Sequence, residues 1–160
     1  MIENWDWHKW YPISEIESKL IWNDIKQSKN FWESLELINA TEFEYLKTVL
    51  NNNFKIVPYF ITSRIPTVGN NLHQQCINSL IKFGWKSPQV ILSNKKENII
   101  NAFEIEYFID DKGENCLDVK DKNPNCNVYI LDYPYNSFVS DKHINRIYTL
   151  NDFAKILEKI

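Results

Sequence analysis

Glu106-Tyr107-Phe108-Ile109-Asp110-Asp111 is the stretch that decides the fold. It is a short apolar run that ends on two acids, the form of a buried strand whose carboxyl end carries chemistry. Upstream, Phe60-Ile61-Thr62-Ser63-Arg64 repeats the form, ending in two hydroxyls and a base. Between the two lies a lysine pair, Lys95-Lys96. Hydroxyls, lysine and paired carboxylates at the ends of successive strands suit a phosphate and a divalent metal.

The neighbouring sequence fills in strands and helices in alternation. Ile56 to Ile61 is β-branched and aromatic and predicts a strand, with Pro58 removing one ladder donor. Asn70 or Asn71 caps a helix that turns Leu72, Cys76, Ile77, Leu80 and Ile81 inward and stops at Gly84. Val90-Ile91-Leu92 predicts the next strand. Lys96 to Phe103 predicts a helix with Ile99, Ile100 and Phe103 buried. Tyr107-Phe108-Ile109 and Asn127 to Leu131 predict two more strands, and Ile144 to Tyr148 a last short one. The stretch from Asp118 to Asn127 reads as solvated turns. Thr149 with Asp152 caps a final helix through Leu157. Such alternation implies an α/β fold, a parallel sheet with right-handed crossovers. Ligands of these sheets bind at the carboxyl ends of the strands. Thr62, Asp110 and Asp111 sit there, and Lys96 opens the helix after a strand.

Residues 1–52 read differently, as helices. Ser14 with Glu17 forms a capping box, after which Ile13, Ile16, Leu20 and Ile21 share one face. Thr41 with Glu44 predicts a second box, with Phe43, Leu46 and Leu50 on one face and Asn51-Asn52-Asn53 as the stop. The expected organisation is a helical segment over 1–52 and an α/β core over 53–160.

Composition bounds the function. The chain has 160 residues, 44% hydrophobic and 14% aromatic, enough to bury a core. Its net charge of -3 and pI near 5.6 argue against a general nucleic-acid binder, which needs a basic face. No segment has the length of a membrane span. Met1-Ile2-Glu3-Asn4 carries neither a basic region nor an apolar run, so no secretory leader is expected. Cys76, Cys116 and Cys126 are odd in number and form no C-x-x-C, which favours reduced thiols and a cytoplasmic setting. His8, His73 and His143 lack metal-ligand spacing. Abundant asparagine and isoleucine with scarce alanine suggest AT-rich coding, as in a phage or a low-GC bacterium.

Four segments together resemble the haloacid dehalogenase-like phosphatase superfamily, closest in flavour to its 5'(3')-deoxyribonucleotidase-like branch and the phage relatives. They are Phe60-Ile61-Thr62-Ser63-Arg64, Lys96, Phe108-Ile109-Asp110-Asp111, and Val128-Tyr129-Ile130-Leu131-Asp132-Tyr133-Pro134-Tyr135-Asn136. The fourteen residues from Lys96 to Asp110 suit the spacing of that family's third and fourth motifs. Asn4-Trp5-Asp6-Trp7 and Phe31-Trp32 look like pieces of its small helical cap. The resemblance covers nearly the whole chain; each motif is weak alone, and their order and spacing carry it.

The resemblance implies a Rossmann-like core in which an aspartate attacks phosphorus, with magnesium shielding the charge. Thr62 would hydrogen-bond a phosphoryl oxygen, with Ser63 and Arg64 beside it. Lys96, with Lys95 as the alternative, would neutralise nucleophile and phosphate. Asp110 and Asp111 would bind magnesium directly or through water. The ligand would be a nucleotide or another small phosphorylated molecule.

The chain departs from the family at the first motif. No Asp-x-Asp occurs in it. Asp6 lies among tryptophans, and Asp24 lies within a helical pattern. In the family the first strand sits between the strands that here end at Thr62 and Asp110. The expectation is therefore a core lacking its nucleophile and its middle strand. The strands ending at Thr62 and Asp110 should then be direct neighbours, or pair with a strand of another copy or a partner chain.

Each feature also has a plainer reading. Paired acids after a strand often make a polar loop or helix cap. Thr62-Ser63 suits the start of a turn, Arg64 a surface ion pair, and Lys95-Lys96 a solvated helix start, although lysine there opposes the helix dipole. Trp5, Trp7, Trp10, Trp22 and Trp32 crowd the first third of the chain. They suit large rings filling a small helical core, a stacking platform for a base at about 1–3 kcal/mol per base, or a partner-binding surface. Three readings follow: a phosphatase-like protein without hydrolysis, one part of an active magnesium-dependent nucleotidase whose nucleophile lies elsewhere, and an interaction module.

Overall fold

The computed structural model describes residues 12–160; the expectations for Trp5, Asp6, Trp7, Trp10 and any strand before residue 12 lie outside them. Elements follow in chain order: α1 (Glu15–Gln27), α2 (Phe31–Ser34), α3 (Ala40–Asn52), β1 (Tyr59–Thr62), α4 (Leu72–Lys82), β2 (Gln89–Leu92), α5 (Lys96–Ala102), β3 (Tyr107–Asp110), α6 (Gly113–Lys122), β4 (Asn127–Leu131), β5 (Ile144–Ile147) and α7 (Leu150–Leu157), with a 3-10 turn at Pro134–Asn136. The chain is α/β and its strands are parallel. No helix among the described residues is long and apolar enough to cross a membrane.

The strands form two small sheets. β1 ladders with β2, pairing Tyr59 with Gln89 and Thr62 with Leu92. β3, β4 and β5 form the second sheet in that order, with Asp110 opposite Ile130 and Val128 opposite Ile144. The single sheet expected from the alternation is therefore divided. Among the described strands β1 and β3 are not laddered to each other, which corrects the first of the two expected arrangements, direct neighbours. The second, pairing with a strand of another copy or a partner chain, stays an expectation. The physical reason is that each sheet belongs to a compact unit with a core of its own. One unit takes residues 12–36 and Pro58–Asn94, the other Leu37–Val57 and Lys95–Ile160. The helical stretch before residue 53 is shared out, α1 and α2 to the first unit and α3 to the second.

In the first unit, Ile25, Trp32 and Ile65 form the core, with Ile21, Trp22, Phe31, Leu35 and Leu72 packed on it. Trp85 meets Phe60 edge to face at 4.9 Å. In the second, Val49 of α3 and Phe153, Ala154 and Leu157 of α7 pack with Tyr129 and Ile147 of the sheet. Val128 and Ile130, which alternate with Tyr129 along β4, are also buried. A central parallel strand is covered on both faces in this way.

Caps explain most element ends. Ser14 and Glu17 make the expected box at α1, Asn71 caps α4, and Thr149 with Asp152 boxes α7. Gly84 ends α4 at φ 89°, a conformation that favours glycine. Four expectations need correction. The cap of α3 is Asn39, whose side chain accepts from the Glu42 N–H, so Thr41 and Glu44 lie inside the helix. Phe103 and Ile81 are exposed: Phe103 is the residue that caps the end of α5, and Ile81 lies on α4 beyond the apolar stripe that the core covers. β1 starts after Pro58, so the proline costs the ladder nothing. The first half of the stretch read as turns, Asp118 to Lys122, completes α6, whose buried residues are Gly113, Cys116 and Val119.

Candidate functional site

The carboxyl end of β3 carries the densest polar network. Asp110 ends the strand with its side chain almost wholly buried. Lys96 donates from Nζ to its Oδ2 at 2.6 Å, and Asn115 donates from Nδ2 to the same oxygen at 2.9 Å. The backbone N–H of Lys112 donates to Oδ1 at 2.9 Å, so the carboxylate also closes the turn into α6. A buried charge is tolerable only with this kind of pairing. Lys96 reaches Asp110 because α5 starts on the loop that leaves β2, and its ammonium is mostly buried as well.

Asp111 is held from the other side. The Tyr135 hydroxyl donates to its Oδ2, and Asn136 donates from Nδ2 to its backbone carbonyl at 2.7 Å. Burial pushes the Asp111 carboxyl up; the Tyr135 bond opposes that, and the negative charge of Asp110 adds to the rise. Beneath the pair lies Cys116, fully buried, with its Sγ against the carbonyls of Asp110 and Tyr129. Burial and then the two carboxylates push this thiol up, and burial pushes Cys126 up to about 11. Neither thiol has the character of a nucleophile.

Thr62, Ser63 and Arg64 lie in the other unit, at the end of β1. They line a cavity of about 250 Å³ together with Leu92, Ser93 and Asn94 from the end of β2. The two strand ends are tied by the Ser93 N–H, which donates to the Thr62 carbonyl at 2.9 Å. Arg64 lies over the Trp32 ring at 4.8 Å from its centroid and reaches the Cys76 sulfur. Trp32 in turn donates to the Ile65 carbonyl at 2.8 Å, so this tryptophan is a structural ring that seats an arginine.

The expected site residues thus fall into two groups. Lys96, Asp110 and Asp111 converge in one unit; Thr62, Ser63 and Arg64 converge in the other. Lys95 is exposed at the start of α5 and makes no side-chain cap. Among the described residues no group of three or more His, Cys, Asp or Glu is arranged to hold a metal. Asp24, the remaining described candidate for a nucleophile, is exposed on α1.

Sequence reasoning missed Asn115 and Arg146, and gave no role to Tyr135 and Asn136, which it named only within the segment from Val128 to Asn136. Asn115 lies in a helix whose start carries no side-chain cap, so no local signal announced it. Tyr135 and Asn136 follow Pro134, which opens the 3-10 turn; proline at a first helical position was the available clue. Comparison with known proteins found no matching family model, no matching curated protein and no matching solved structure.

Proposed function

We propose that this chain has the haloacid dehalogenase-like core of a phosphatase or nucleotidase, keeps a phosphate and magnesium site, and lacks the nucleophile for hydrolysis on its own. The observation that carries the reading is the buried Lys96–Asp110 pair at 2.6 Å, on the carboxyl end of a parallel strand and followed by a second, half-buried acid. A lysine beside two acids at a strand end is what a phosphate with a cation requires.

The residues fit magnesium in part. Asp110 already accepts from three donors, one of them a lysine, which leaves Asp111 as the better oxygen ligand. A half-buried carboxyl pushed up by burial, and further by another carboxylate beside it, gains from a cation. Magnesium commonly takes one or two carboxylates and keeps its waters, and it would supply charge neutralisation for a phosphate. Thr62 and Ser63 offer hydroxyl donors to a phosphoryl oxygen, with Arg64 beside them in the same unit; in the other unit Lys96, with Lys95 as the alternative, is the cation proposed for the Asp110 strand end. The cavity at Thr62 lies just under the usual range for small-molecule pockets, which favours a phosphate end over a whole nucleotide.

The test is phosphate release from nucleoside monophosphates with magnesium. The expected result is none above buffer, with phosphate binding that weakens in Thr62→Val. Robust release lost in Asp110→Asn would overturn the incomplete site. A second reading, part of an active enzyme completed by a homo-oligomer or a partner chain, is favoured by one observation: among the described strands, β1 and β3 each ladder to a single neighbour. Adding a peptide that carries an Asp-x-Asp strand and finding hydrolysis would select it.

A further inference from the structure

We propose that Tyr135 is a positioning residue for Asp111, held in place by Asn136 and Arg146. This rests on the reading of Asp111 as the cation-facing carboxylate. Asn136 is fully buried and uses all of its side-chain hydrogen-bonding capacity. Its Nδ2 donates to the carbonyls of Asp111 and Leu131, both at 2.7 Å. Its Oδ1 accepts from the Tyr133 N–H at 3.2 Å and from Arg146 Nη1 at 2.7 Å. Arg146, on β5, also binds Asp132 at 2.6 Å and the carbonyls of Asn136 and Val139 at 3.0 Å. The ends of β3, β4 and β5 are therefore pinned through one side chain.

This network fixes the backbone on both sides of the acid. The carbonyl of Asp111 is tied by Asn136, and the 3-10 turn that Asn136 closes presents the Tyr135 hydroxyl to the carboxylate. Tyr135 is stacked on Tyr133 with centroids 5.2 Å apart and planes 6° from parallel, so its ring has little freedom to swing away. A purely structural network would not need the hydroxyl on Asp111 Oδ2. That bond selects one rotamer of a carboxylate whose neighbour, Asp110, is already committed to Lys96. Partners that orient a metal-binding carboxylate typically change metal affinity by about 10–100-fold when removed.

Tyr135→Phe tests this, because it deletes one hydroxyl and keeps the stacked ring. In metal-free protein the Asp111 13Cγ resonance should be single in the wild type and shifted or split in Tyr135→Phe, with the melting temperature nearly unchanged. An unmoved resonance overturns the positioning role. Manganese affinity is read separately by electron paramagnetic resonance. The expected result is binding lost in Asp111→Asn and weakened about tenfold or more in Tyr135→Phe. Binding lost in Asp111→Asn but unchanged in Tyr135→Phe overturns the inference and leaves the magnesium reading standing. No manganese binding by the wild type overturns the magnesium reading, and the metal-free resonance then decides the positioning role alone.

Discussion

Lys96 and Asp110 show how one pair can serve both stability and chemistry. Both side chains are mostly buried, and the three donors on Asp110 offset the cost of removing its charge from water. Lys96→Met should therefore destabilise the protein by about 3 kcal/mol, since it leaves a buried carboxylate short of its cation. A urea midpoint within error of the wild type at unchanged slope would show that the fold does not need the lysine at Asp110. A second pair, buried Glu97 with the exposed Lys122 at 2.8 Å, predicts a pH effect. Burial pushes the Glu97 carboxyl up, but the Lys122 hydrogen bond and charge outweigh it and hold the group below its ordinary 4.5. A depressed carboxyl stabilises the fold above the unfolded value and loses that contribution as pH falls through the folded one. Lys122→Met removes the lowering cause and leaves burial, so the variant should melt below the wild type at neutral pH. The gap should close as pH falls below 4.5. A gap that is constant with pH would mean that the lysine acts through its alkyl stem.

The elements were legible where the signal was local. Strands β3, β4 and β5 lie within a residue or so of the apolar runs that predict them, because a buried parallel strand is a short hydrophobic run by necessity. Ser14, Asn71 and Thr149 cap the helices the sequence assigns them, since a cap and its N–H are neighbours in sequence. Asp110 and Lys96 were legible as a pair for a similar reason: strand end and helix start are local features, and the fold supplied only the 2.6 Å contact. Tyr135, Asn136 and Arg146 were not legible, because their roles depend on three strand ends meeting. The start of α3 shows a local signal misread: Thr41 and Glu44 fit the capping pattern, yet Asn39 and Glu42 perform it, two residues earlier. Glu42 also accepts from the Leu150 N–H at 2.8 Å, a contact 108 residues away that no local pattern announces. Asn39→Ala should cost about 1 kcal/mol. Thr41→Ala, at an exposed position inside the helix, should change stability by less than about 0.5 kcal/mol. Equal losses in chemical denaturation would return the cap to Thr41.

For the molecule as a whole, alternation of strand and helix predicted α/β but not how many sheets. The period of a strand tells which face is buried and is silent on which edge finds a neighbour. That choice is made by contacts far apart in sequence, and here it divides five strands into a pair and a triplet. The two sheets should differ in stability. β4 has neighbours on both edges, and its Val128 and Ile130 are almost inaccessible. Cys116, Val119 and Ala154 of the same unit are fully buried as well. β1 and β2 have only each other among the described strands, and their residues are half-buried or exposed, Leu92 at 41%. A two-stranded sheet is marginal without the packing around it, and local opening follows the thinnest burial. Native-state hydrogen exchange should find the amides of Val128 to Ile130 protected longest. Those of Phe60 to Thr62 and Val90 to Leu92 should exchange at least about tenfold faster, corresponding to about 1.4 kcal/mol of easier opening. The comparison is made below the unfolding transition and at one pH, on protection factors, with each amide's rate divided by its own intrinsic rate. Equal protection in both sheets would mean that the chain opens as one cooperative body in spite of its two cores.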